Sequence, residues 1–116
     1  MSKVPTIILG GTGYVAGELL RLLSQHPSLK LAAAVSTSRA GKAISGAFQH
    51  LGPAYPKQRF TSPEEAIQGL RKAPNWTVIS AAPHGASAPL VNEILGEAES
   101  SGIKVSVVDA SADFRF

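Results

Sequence analysis

The chain has 116 residues, 44% hydrophobic and 16% charged, which fits one globular domain with a real core and leaves no apolar stretch near the roughly 20 residues a membrane-spanning helix needs. It contains no cysteine, which excludes disulfides, thiolate zinc sites and a cysteine nucleophile within these residues. The net charge is +3, but Lys and Arg are scattered with no basic run longer than two, so nucleic-acid binding is not expected. The opening "MSKVPTIILGG" lacks the apolar core and cleavage site of a signal peptide, which suggests a cytoplasmic protein without a membrane segment.

Val4 to Leu9 is a short, branched, unbroken apolar run, the pattern of a parallel strand buried on both faces. Tyr14 to Gln25 then reads as a helix with Val15, Leu19, Leu22 and Leu23 on its apolar stripe, closed by His26-Pro27. Leu29 to Val35 reads as a second strand. Ser36 to Pro56 is rich in Gly, Ser and Pro without a clear period, so loop is expected there, with one helical turn near Ile44 to Phe48 and a weak strand near Gln58 to Phe60. "SPEE" at 62–65 is a helix start: Ser62 as N-cap, Pro63 at the first helical position and Glu65 completing a capping box, with the helix running to about Lys72. Thr77 to Ala81 is a third strand, Ser87 to Ser100 a helix ended by Gly102, and Ile103 to Val108 a fourth strand stopping at Asp109.

Strands and helices in strict alternation predict an α/β fold, a Rossmann-type parallel sheet with helices on both faces, forming one dinucleotide-binding domain over 1–116. Ligands in such folds bind beyond the carboxyl ends of the strands, where the strand order reverses. The loop after Leu9, "STSR" after Val35, "APHG" after Ala81 and "DASADFR" after Val108 all fall at that edge.

Gly11-x-Gly13-x-x-Ala16 lies between a strand and a helix, as the dinucleotide fingerprint in its Gly/Ala form requires. Gly10 or Gly11 permits the tight turn, Gly13 lets the backbone approach a pyrophosphate, and Ala16 keeps the helix close to the sheet. Thr12, Tyr14 and Val15 complete the candidate cofactor loop, Tyr14 either covering the cofactor or packing. At the end of the second strand an NAD-binding domain would carry an acidic residue for the ribose hydroxyls. The sequence reads Ser36-Thr37-Ser38-Arg39 instead, and hydroxyls with a guanidinium suit a ribose phosphate, so NADP is expected, with Ser36, Ser38 and Arg39 as its contacts.

"GGTGYVAGELLRLLSQHP", "STSRAGK", "APHGAS" and "DASADFR" occur in the order and spacing of the cofactor domain of N-acetyl-gamma-glutamyl-phosphate reductases, and the chain resembles that family over nearly its whole length. The resemblance implies an NADP-dependent oxidoreductase of arginine biosynthesis that reduces N-acetyl-L-glutamyl 5-phosphate to the 5-semialdehyde. In that family a cysteine forms a thioacyl intermediate and a histidine serves as acid/base. Both are expected in a catalytic domain after Phe116, so no catalytic residue and no activity is expected of these residues alone. The partner implied is a small acyl phosphate, and a homo-oligomer through that further domain is left open. Ala16 departs from the family, where a third glycine is common, and "GAFQHLGPAYPKQRF" carries nothing that assigns it a role.

Pro83, His84 and Gly85 are expected beside the cofactor, with His84 a pocket-lining residue rather than the proton-transfer group. Ser111 and Arg115 are candidates for an anionic substrate group; a surface salt bridge between Asp113 and Arg115 is the alternative. His26 and His50 read as surface residues, and no metal site is expected. Two other readings compete: a non-catalytic NADP-binding sensor, and a fragment of a short-chain epimerase or dehydrogenase. The latter needs a Tyr-x-x-x-Lys pair, and neither Tyr14 nor Tyr55 has Lys four positions on.

Overall fold

The computed structural model describes residues 3–10, 14–81 and 88–109. Strands β1 (Val4–Leu9), β2 (Leu29–Val35), β3 (Asn75–Ser80) and β4 (Lys104–Asp109) form one sheet in the order β2-β1-β3-β4. Every pairing is parallel. In β1, Thr6, Ile7, Ile8 and Leu9 are at most 1% exposed, because layers cover both faces of the strand. Side chains alternate across the sheet with period two. Ile7, Leu9, Val35 and Val78 pack on one face against Ala66 and Leu70 near one helix and Ile94 of another. Ile8 and Ala34 pack on the other face against Ala16, Leu20 and Leu23.

Those last three residues belong to α1 (Tyr14–Ser24). The predicted stripe is rotated from the observed one: Ala16, Leu20 and Leu23, spaced four and three apart, face the sheet, while Leu22 is 48% exposed and Val15 half-buried. An alanine at the start of the face brings the helix close to the sheet, and that fixes which leucines follow it inward. His26 does more than sit at the surface. Its Nδ1 accepts from the amides of Ser28 and Leu29, at 2.9 and 3.0 Å, and so organises the turn from α1 into β2.

The long connection after β2 contains α2 (Ile44–Ala47) and a 3-10 turn at Gln49–Leu51. As expected it is mostly irregular with one helical turn near Ile44, but it also contributes to the core. Ile44, Leu51, Tyr55 and Phe60 are buried against α1, and the Tyr55 hydroxyl donates to the Leu20 carbonyl at 2.6 Å. The strand expected near Gln58 to Phe60 is reduced to two isolated bridges, Ala43 with Arg59 antiparallel and Val35 with Thr61 parallel. The segment turns too soon, into the cap of the next helix, to extend further.

In α3 (Pro63–Gly69) the expected capping box is present: the Glu65 amide donates to Ser62 Oγ at 3.2 Å, and the Ser62 amide donates to the Glu65 carboxylate at 3.4 Å. A 3-10 turn, Leu70–Lys72, tightens its end, and the Trp76 indole N–H donates to the Leu70 carbonyl at 2.8 Å. Helix α4 (Ala88–Ser101) ends at Gly102, whose φ of 70° allows the Ile103 amide to reach back to the Ala98 carbonyl at 2.8 Å. Among the described residues no helix is long and apolar enough to cross a membrane.

Candidate functional site

The sheet order places β2 on one side of β1 and β3 on the other, so the connections leaving β1 and β3 diverge above the central strand. In parallel sheets of this order, ligands bind beyond the carboxyl ends of the strands at such a switch point. The ends stay in register to the last residue, with the Ala81 amide donating to the Leu9 carbonyl at 2.9 Å. Gly10 leaves β1 with φ of 76°, a left-handed conformation that an L side chain resists, and α1 starts at Tyr14. A helix that begins just beyond a strand end carries free amides and the positive end of its dipole, features that suit a pyrophosphate. Of the candidate residues, Gly11, Thr12, Gly13, Pro83, His84, Gly85, Ser111 and Arg115 lie outside the described residues, as does Asp113.

Ala16 is fully buried, as expected of the position that holds the helix against the sheet. Its neighbour Gly17 was not singled out from the sequence. A Cβ there would lie 2.9 Å from Cε1 of Phe48, so Gly17 gives the ring of the 44–60 segment its place on α1. The two small residues serve different sides: Ala16 the sheet, Gly17 the long connection. A glycine in the first turns of an amphipathic helix was the available signal, hidden by its nearness to the fingerprint.

At the end of β2, Ser36 is buried while Ser38 and Arg39 are exposed. Ser36 Oγ accepts from the Arg39 amide at 3.2 Å and lies 3.5 Å from Ser38 Oγ, so the two hydroxyls and the base of the arginine form one turn. The turn is fastened from behind. The Ser36 amide donates to Thr61, the Gly41 amide to Phe60, the Phe60 amide to Lys42 and the Lys42 amide to Arg39, all at 2.8 to 3.1 Å. Arg59 Nη1 donates to the Gly41 carbonyl at 2.8 Å. Among the described residues the ion pairs are Glu18 with Arg21 and Glu97 with Arg71, and neither involves this turn. No Asp or Glu occurs between Glu18 and Glu64. A cationic turn with two hydroxyls and no carboxylate is chemically fit for a phosphate group.

No group of three or more His, Asp or Glu side chains suited to a metal occurs among the described residues. A cavity of about 570 Å3, lined by residues such as Lys3, Lys30, Leu31, Lys72, Pro74 and Trp76, opens at the amino ends of the strands, on the opposite edge from the glycine turn.

Residues 5–116 match the family described as semialdehyde dehydrogenase, NAD binding domain. The chain is 40% identical over 108 residues, 93% of its length, to an N-acetyl-gamma-glutamyl-phosphate reductase of Ectopseudomonas mendocina, and covers 28% of that protein. It is 32% identical to the same-named protein of Rhodospirillum rubrum, across 97% of the chain and 30% of that protein. A Pyrococcus horikoshii protein, named as a phosphate reductase for LysW-bound 2-aminoadipate or glutamate, is 36% identical across 97% of the chain and 29% of its own length. The chain thus spans less than a third of the curated relatives it matches.

Proposed function

The chain belongs to the semialdehyde dehydrogenase family, as its NAD-binding domain, and from that premise we propose that it is the NADP(H)-binding domain of an N-acetyl-gamma-glutamyl-phosphate reductase. Its cofactor class is a nicotinamide dinucleotide. The observation that carries the choice of NADP is the turn after β2: Ser36, Ser38 and Arg39 stand where an acidic residue would take the ribose hydroxyls of NAD, and the segment around them holds no carboxylate. When bound, the cofactor supplies hydride to a carbonyl carbon. This chain's own residues bind and orient it. The glycine turn after Leu9 and the α1 N-terminus take the pyrophosphate, Arg39 with the two serines takes the ribose phosphate, and Ala16 holds α1 at the sheet.

The substrate proposed is an acyl phosphate, reduced to an aldehyde with release of phosphate. Pro83, His84 and Gly85 are assigned to the nicotinamide side of the site, and Ser111 and Arg115 to the substrate anion. The proposed location is cytoplasmic.

Titrating NADPH and NADH against the wild-type chain and Arg39→Ala tests the cofactor assignment. The wild type is expected to prefer NADPH, and Arg39→Ala to lose ~1.5–3 kcal/mol of NADPH affinity, the range for a hydrogen bond to a charged group, with little effect on NADH. Equal wild-type affinities would defeat the assignment.

A further inference from the structure

Arg39 does not stand alone on its turn. The Lys42 amide donates to the Arg39 carbonyl at 2.9 Å, and the Arg59 guanidinium, twenty residues further along the chain, closes on the Gly41 carbonyl between them at 2.8 Å. The contact brings a third cation to a turn that already carries two, with no carboxylate paired to it among the described residues. Like charges gathered without a counterion raise the energy of the empty turn, and a bound dianion relieves it. Gly41 itself has φ of 84°, and its side-chain position is open space. The Gly41 amide donates to the Phe60 carbonyl at 2.9 Å and the Gly41 carbonyl accepts from Arg59, so hydrogen bonds tie this left-handed corner on both sides.

We propose that Arg59 is a positioning residue for cofactor selection: by bracing the Gly41 carbonyl it fixes the backbone from which Arg39 and Lys42 present their charges to the ribose phosphate. The inference rests on the NADP reading above and adds a residue that the order of the chain does not suggest. Arg59 is exposed, in a stretch with no motif, and reaches the turn because the antiparallel bridge between Ala43 and Arg59 folds the long connection back onto itself. Among the described residues its side-chain hydrogen bond goes to the backbone of the turn that carries Arg39. The effect is therefore confined to the part of the ligand that distinguishes NADPH from NADH.

The experiment measures both affinities by fluorescence titration for the wild type, Arg59→Ala, Arg59→Lys and Arg39→Ala, with circular dichroism to verify folding. Arg59→Ala is expected to lower the NADPH-to-NADH preference about fivefold, the size of one lost hydrogen bond, with NADH affinity unchanged. Arg59→Lys, which keeps the charge and a donor, is expected to restore part of that preference. If Arg59→Ala does not fold, Gly41→Ala, which strains the same corner without touching the guanidinium, is expected to show the same selective loss. An unchanged preference in a folded Arg59→Ala chain, while Arg39→Ala loses it, overturns the role of Arg59 alone. Equal weakening of both cofactors overturns it too, since that is the mark of a structural role. A wild type with no preference instead refutes the NADP reading itself.

Discussion

Gly10 and Ser36 show how single residues set the site. Gly10 follows the last residue of β1, and its φ of 76° is a left-handed conformation that an L side chain resists. Gly10→Ala is expected to destabilise the domain by roughly 1–2 kcal/mol, the penalty of a left-handed L-residue, and to weaken cofactor binding, measured by thermal melts and NADPH titration. Ser36 has a different task. Its hydroxyl is engaged by the Arg39 amide at 3.2 Å, so the serine shapes the turn as well as offering an oxygen to a ligand. Such a hydroxyl can still donate its own proton while accepting.

At the scale of elements, the connection from 44 to 60 acts as a second layer on α1. Phe48 sits over Gly17, with Phe60 beside it at a centroid distance of 6.5 Å, and Tyr55 ties the segment to the helix backbone. The Gly17 and Phe48 contact has a measurable signature. Alanine is favoured over glycine inside a helix by about 1 kcal/mol, so Gly17→Ala is expected to stabilise the domain by about that amount in a Phe48→Ala background. With Phe48 present the gain should vanish or reverse, because the Cβ would lie 2.9 Å from the ring. A double-mutant cycle in urea reads the coupling. Tyr55 gives a pH signature. Burial pushes its hydroxyl above the ordinary 10.0, since the phenolate would lose its water. A folded pKa raised above the unfolded one means that the contribution is intact below the unfolded value and lost as pH climbs through the folded value. Tyr55→Phe is therefore expected to be less stable near neutral pH by about 1 kcal/mol and to show a flatter alkaline limb, seen in urea melts on both sides of the tyrosine range.

At the scale of the whole molecule, the parallel sheet separates two edges. The carboxyl edge gathers Gly10, the Ser36–Arg39 turn and the start of α1. The amino edge gathers Lys3, Lys30, Lys72 and Lys104, at or near the starts of the strands and the end of the 3-10 turn that follows α3. These lysines account for part of the positive net charge without calling for a nucleic acid. The chain as a whole is expected to bind NADPH and not consume it when an acyl phosphate is added. Reduction through a thioester needs a thiol to displace the phosphate, and these residues contain none. NADPH absorbance with N-acetyl-glutamyl phosphate present checks this; substrate-dependent oxidation above background would contradict the thioester route.

The sequence alone determined the alternation of strands and helices, the capping box at Ser62, the stop at Gly102 and the position of the glycine turn. Each is a local matter: hydrophobic period, cap geometry and φ preference are decided within a few residues. What the tertiary structure decided is which face of α1 turns inward, and that the long connection, irregular as expected, also supplies core residues. Leu22 and Leu20 are equally apolar, and only the approach of Ala16 to the sheet separates them. Phe48, Tyr55 and Phe60 have no period because they do not form one element; they converge on α1 from separate turns of the chain. The turn after β2 divides the same way. Ser36, Ser38 and Arg39 are legible because they follow a strand end, whereas Arg59 reaches Gly41 only through a fold-back that pairs distant backbone, and no local preference records such a contact.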